Sequence, residues 1–177
     1  MVATGADVYG SMGVRVVINA QGNRTVLGGS APVPEVVEAM EAVNSTYVEM
    51  RELLERSGDY IADRLGVEAA YVTSGCSAAL AFSAAACMTG RDPDKISQLP
   101  DTSGMRNQII IQKAQRYSYD RSYTVSGAQL IEAGDEDSCS KEQLQRMIGP
   151  KTAAIAYLVS PIDNEKILSL EETVDIA

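Results

Sequence analysis

The chain has no histidine and no tryptophan, one phenylalanine and three cysteines among 177 residues. Without histidine there is no Ser-His-Asp or Cys-His catalysis and no imidazole metal ligand, and no metal site is expected. Cys76, Cys87 and Cys139 form no C-x-x-C pair. An odd, scattered set reads as reduced thiols in a cytosol, so a cytoplasmic location is expected. Basic residues are also scarce, 15 Lys and Arg against 24 Asp and Glu, for a net charge of −9. That balance argues against a nucleic-acid surface. The first residues, MVATGADVYGSMG, lack the basic start and apolar core of a signal peptide, and the longest apolar run is too short and serine-broken to span a bilayer.

What is present is an alternation of apolar strands and helices. Val14–Ile18 reads as a strand or extended arm, followed by the Gly/Asn/Pro-rich loop NAQGNRTVLGGSAPVP. Val36, Met40, Val43, Tyr47, Met50 and Leu54 recur at steps of four and three, which predicts helices over 34–43 and 47–65, stopped by Gly66. Then come a strand at Ala69–Thr73, a helix at Ser77–Thr89, a long polar loop over 91–107, and strands at Gln108–Lys113 and Ala128–Glu132. An acidic turn, GDEDS, leads into a helix at Lys141–Ile148. A strand at Thr152–Val159 and a last helix from Ser169 complete the series. This order predicts an α/β domain with a mostly parallel sheet flanked by helices. The chain divides on this reading into an N-terminal arm with helices, 1–66, and the start of a larger domain, 67–177.

The stretch AAYVTSGCSAALAFSAAACMTG places Ser74-Gly75-Cys76-Ser77 between a strand and a nearly charge-free helix. In open α/β sheets ligands bind at the carboxyl ends of strands. The first N–H groups of a helix have no internal partner, and the helix dipole favours an anion there. A phosphate is the ligand this turn suits; tight packing of small residues is the alternative. Cys76 has no visible base partner and reads as a small packing residue. Arg106 and Arg116 offer bidentate forks for a carboxylate or phosphate, against the alternative of surface arginines.

Four stretches carry a family resemblance: VINAQGNRTVLGGS, AAYVTSGCSAALAFSAAACMTG, LPDTSGMRNQIIIQKAQRYSYDRSYTVSGAQLIEAG and TAAIAYLVSP. In order and spacing they resemble the start of a family of fold-type-I pyridoxal-phosphate enzymes. The branch is the one that holds D-glucosaminate-6-phosphate ammonia-lyase and L-seryl-tRNA(Sec) selenium transferase. The resemblance runs from about Val16 onward and implies the N-terminal part of the major domain of such an enzyme. It implies that Ser74, Gly75, Cys76 and Ser77 hold the phosphate of pyridoxal 5′-phosphate. It implies that Gln115 lies near the cofactor ring, where the family commonly has a histidine in a pattern like H-R-x-x-Y-D. Arg116, Tyr119 and Asp120 match that pattern; a glutamine cannot titrate near neutral pH. Ser30, Arg106, Asn107 and Arg116 are the substrate-binding residues the resemblance suggests.

No catalytic residue is assigned. The family's Schiff-base lysine and pyridinium aspartate would lie beyond Ala177, so the chain reads as part of an enzyme that is inactive alone. The implied reaction is an ammonia-lyase type of elimination on an amino acid or amino-sugar acid. A transferase using seryl-tRNA and a catalytically dead product are the alternatives. A small-molecule substrate and a homo-oligomer are the implied partners. The family's sheet order implies that Ala69–Thr73 lacks its neighbours, that Thr152–Val159 presents an open apolar edge, and that the isolated polypeptide is poorly soluble or molten.

Overall fold

A computed structural model describes residues 4–159 and 165–177. Ser160 and Pro161, the end of the fourth resembling stretch, lie outside the described residues. The chain forms two units, Met1–Leu53 and Leu54–Ala177.

The first unit is held by local devices. Helix α1, Gly5–Ser11, starts with a reciprocal capping box between Thr4 and Asp7. Val14–Ile18 is extended but forms no strand. The following loop makes one 3-10 turn, Thr25–Leu27, closed by an antiparallel bridge from Arg24 to Gly29. Gly28 takes φ 92°, a left-handed conformation that L side chains rarely adopt. Helix α2, Pro34–Val43, has Pro34 in its first turn, where a missing N–H costs nothing. Neither α1 nor α2 buries a residue within the chain.

The second unit carries the core. Helix α3, Met50–Leu65, starts three residues later than its periodicity suggests and belongs to this unit from Leu54 onward. Gly58 and Ala62 are its buried residues. A Cβ on Gly58 would strike the carbonyl oxygen of Ala70, so glycine lets residues 69–73 lie directly on the helix. That segment was expected to be a strand. It pairs with nothing among the described residues, and Tyr71 and Val72 are exposed. Its composition suits a strand, but a ladder needs a neighbour.

Helix α4, Cys76–Thr89, ends at Gly90. The polar stretch expected to be a loop contains a six-residue helix, α5, Pro93–Gln98. Asp92 caps it and Pro93 opens it, two start signals in one dipeptide. Strands β1, Gln108–Gln112, and β2, Gln129–Ala133, are parallel neighbours. Helix α6, Lys141–Met147, follows with a Ser140–Gln143 capping box. Strand β3, Thr152–Ala156, pairs parallel with the other side of β1, and helix α7, Leu170–Ile176, has a Ser169–Glu172 box.

The sheet order is β2-β1-β3. The parallel sheet is as the sequence suggests, although β3 is three residues shorter, and among the described residues no strand pairs with the outer side of β3. Ile109, Ile110 and Ile111 are all buried because β1 is covered on both faces. Ile109 and Ile111 pack with Ala84 and Met88 of α4, and Ile110 packs with Leu144 of α6 and Leu168. These helices cover the two faces of the sheet. No helix among the described residues is long and apolar enough to cross a membrane.

Candidate functional site

The carboxyl ends of the strands gather the start of α4 and the residues that follow β1. The backbone of Gly75 (φ 138°, ψ 172°) turns the chain into α4, and Thr73 Oγ1 donates to its carbonyl at 3.0 Å. The first intrahelical bond, from Ala79 N–H to Gly75 O, is 3.0 Å. Helices α1, α5, α6 and α7 each have a side chain accepting from their opening N–H groups; α2 and α4 have none. The first-turn donors of α4 are left for a ligand or solvent, and Ser74, Gly75, Cys76 and Ser77 are all exposed.

Helix α4 packs against the 3-10 segment Asp120–Ser126. This brings the Cys76 thiol into the electrostatic surroundings of Tyr117 and Tyr123, whose phenols are hydrogen-bonded to one another. Burial raises the pKa of both. The mutual bond lowers that of Tyr117 and raises that of Tyr123, which is pushed up to about 12. Both pKa values lie above the ordinary phenol value, so both phenols hold their protons at neutral pH.

Gln115 lies three residues past β1 and is buried. Its amide nitrogen donates to Leu158 O at 3.1 Å, and its amide oxygen accepts from Leu158 N at 3.4 Å. Gln112, fully buried, does the same to Leu168 at 3.2 and 2.9 Å. Each side chain completes the sheet's hydrogen bonding as an extra backbone peptide would. One clamps the chain at Leu158, just after β3, and the other clamps it at Leu168, just before α7.

Arg116 is likewise engaged. Its Nε and Nη2 donate to the two oxygens of Asp120, and its Nη1 donates to Glu132. Asp120 also accepts from Tyr117 N at 3.2 Å. Burial would raise the pKa of Asp120, but the Arg116 and backbone bonds outweigh it and hold the carboxyl below its usual value. Lys113 reaches Glu136 at 3.0 Å and Glu132 at 3.9 Å; the Glu136 hydrogen bond and both negative charges raise its pKa.

The remaining sequence-derived residues lie elsewhere. Arg106 and Asn107 immediately precede β1, at the amino end of the strand that Gln115 and Arg116 follow. Asn107 Nδ2 donates to Thr102 Oγ1 at 2.9 Å. Ser30 is an exposed residue of the first unit. The structure thus brings Ser74–Ser77 together with the Gln115–Tyr123 segment and separates both from Arg106 and Asn107. Tyr117, Tyr123 and Gln112 escaped sequence reasoning. The one available signal was Gln112 itself, an amide at the end of an apolar strand run.

No family model matches the chain. It is 33% identical over 176 residues, 97% of its length, to D-glucosaminate-6-phosphate ammonia lyase of Salmonella typhimurium. It is 30% identical over 157 residues to 5′-C-glycyluridine monooxygenase-decarboxylase of a Streptomyces species, covering 86% of the chain and 39% of that protein. A solved structure of D-glucosaminate-6-phosphate ammonia-lyase superposes with a TM-score of 0.91 at 31% identity, over 99% of this chain and 48% of that one. The chain spans about half the length, or less, of the curated relatives it matches. Nearly every residue of this chain therefore has its counterpart, in sequence and in fold, in one half of a D-glucosaminate-6-phosphate ammonia-lyase.

Proposed function

We propose that this chain is the phosphate-binding half of a pyridoxal-phosphate-dependent lyase with a fold-type-I major domain. Its reaction is an ammonia-releasing elimination on an amino acid or amino-sugar acid. The observation that carries the reading is α4: a 14-residue helix with no side-chain cap, opened by Ser-Gly-Cys-Ser at the carboxyl end of a parallel sheet. The donor set fits a phosphate monoester. Backbone N–H groups of the first turn and the Ser74 and Ser77 hydroxyls supply hydrogen bonds, and the helix dipole adds about 0.3–1 kcal/mol for an exposed negative charge. Bound there, the cofactor would supply an electron sink for the carbanion formed at the substrate's α-carbon.

The chain's own residues fix the platform. Gln115 and Gln112 hold the backbone at Leu158, after β3, and at Leu168, before α7. Arg116, bonded to Asp120 and Glu132, fixes the segment that presents Tyr117. Its fork is filled by carboxylates, so on this reading it positions rather than binds substrate. Lys113 is ion-paired with Glu136 and Glu132, and on this reading it is not the cofactor's lysine. We place that lysine outside residues 1–177. The same reading includes a homo-oligomer, supported by the exposed Val36, Met40 and Val43 of α2.

Borohydride reduction of protein from its native source, followed by peptide mapping, tests this. A phosphopyridoxyl-lysine outside residues 1–177 is expected, with the adduct yield lowered by Ser77→Ala. Protein lacking any adduct would remove the cofactor from the reading.

A further inference from the structure

The loop Asp101–Asn107, the first residue of β2 and the Pro150-Lys151 entry to β3 line an open cavity of about 510 Å³ at the amino ends of the strands. That is the size range of sites for small organic ligands. Two cations line it, Arg106 and Lys151, and among the described residues neither has an ion-pair partner. Lys113, Arg116 and Arg121, which follow the carboxyl end of β1, do not line it. The one carboxylate in its wall, Asp101, accepts from Ser103 N at 2.9 Å and Ser103 Oγ at 2.6 Å. It is committed to holding the loop, and the lining carries two positive charges against one negative.

The wall is also braced. Thr102 Oγ1 donates to Gly127 O at 3.3 Å, Asn107 Nδ2 to Thr102 Oγ1 at 2.9 Å, and Gln98 Nε2 to Ser103 O at 2.9 Å. Met105 is buried beneath it. Gly127 has no room for a Cβ, which would strike Pro100 O and lie 2.8 Å from Thr102 Cγ2. An anion entering such a cavity meets a preset shape, and orders two side chains rather than a whole loop.

We infer that this cavity binds a phosphate monoester of metabolite size through Arg106 and Lys151, at the end of the sheet opposite the start of α4. Arg contributes a planar fork matched to oxyanions and Lys a compact charge, the pairing phosphate binding uses. The volume leaves room for the organic part of the ligand beside the phosphate. This site does not depend on the cofactor reading.

Hydrogen exchange measured by mass spectrometry on the protein as purified tests the assignment, with glycerol 3-phosphate, inorganic phosphate and glycerate as probes. Millimolar glycerol 3-phosphate is expected to slow exchange saturably in peptides covering 101–107 and 149–152. Arg106→Gln and Lys151→Gln should each raise the midpoint tenfold or more, while Ser77→Ala leaves it unchanged. Both cations are exposed, so unaltered melting midpoints should accompany these losses. Tighter binding of glycerol 3-phosphate than of inorganic phosphate supports the monoester, and equal binding assigns the site to the phosphate group alone. Protection confined to peptides over 74–79, unchanged midpoints in both variants, or equal protection by sodium chloride at matched ionic strength overturns the site. Equal protection by glycerate overturns its phosphate class.

Discussion

At the carboxyl ends of the strands Lys113 faces Glu132 and Glu136, and Arg116 faces Asp120 and Glu132. At the amino ends Arg106 and Lys151 line an open cavity with no such partners among the described residues. Four cations border one small sheet, and only the second pair is free to meet a ligand. A charge already matched by two carboxylates sharpens geometry more than it attracts substrate. At the carboxyl end the groups left open are neutral: the first-turn N–H groups of α4, the hydroxyls of Ser74 and Ser77, and the paired phenols. On the proposed reading that end is a fixed platform that opens to the cofactor's phosphate, and the amino end is a cationic cup.

The comparison breaks most forcefully if the platform is not rigid. Gln112 is fully buried and satisfies both the N–H and the C=O of Leu168. Gln112→Leu keeps the bulk and strands both groups, at about 1–3 kcal/mol for each unsatisfied one. Urea unfolding should show a loss of roughly 2–6 kcal/mol, with faster exchange of the Leu168 amide. Wild-type stability in that variant would mean the clamp is incidental.

A smaller effect is expected from the Arg116–Asp120 pair, because Arg116 is over one-third exposed and solvent screens it. Asp120→Asn should cost about 1–2 kcal/mol at neutral pH. The pH dependence carries a sign. Asp120 has a folded pKa below its unfolded value of about 3.9, so its stabilisation is fully present above that pH and fades as pH falls through the lower folded value. The variant should therefore show a flatter fall in stability below about pH 4. Parallel acid-unfolding curves for the two proteins would remove Asp120 from the account.

What the sequence revealed and what it hid follow the same division between local and distant partners. The start of α4 was legible because a helix terminus is made by adjacent residues, Ser74 to Ser77. The strand–helix order was legible because periodicity is local. Ala69–Thr73 had strand composition, and its lack of a paired neighbour among the described residues was implied by the family's sheet order rather than by its own residues. Helix α5 was missed although Asp92-Pro93 announces it, because the surrounding polarity suggested a loop. The roles of Gln115 and Arg116 were out of reach. Leu158 is 43 residues from Gln115 and Glu132 is 16 from Arg116, so only the fold shows that these polar groups are already satisfied.

Within the proposed cofactor site, Ser77→Ala removes one hydroxyl donor and leaves the backbone donors in place. The expected loss is about 1 kcal/mol, or roughly five- to tenfold in the cofactor's dissociation constant by equilibrium dialysis. A loss beyond a hundredfold would mean the hydroxyl does more than share a phosphate.

The smallest expected effect is the most discriminating. Arg106 was a substrate candidate because its guanidinium suits carboxylates and phosphates and because the family resemblance suggests it. In the fold it precedes β1, while Gln115 and Arg116 follow it, five strand residues away. At about 3.3 Å per residue that is roughly 16 Å of strand. An exposed charge so far from the cofactor phosphate, beyond the screening length of about 8 Å at physiological salt, contributes little to holding it. Arg106→Gln should therefore leave cofactor affinity within about twofold, measured in the same dialysis series as Ser77→Ala. A tenfold loss would join the two ends of the sheet into one site, either across a subunit contact or through the loop. The contrast between platform and cup would then give way to a single extended binding surface.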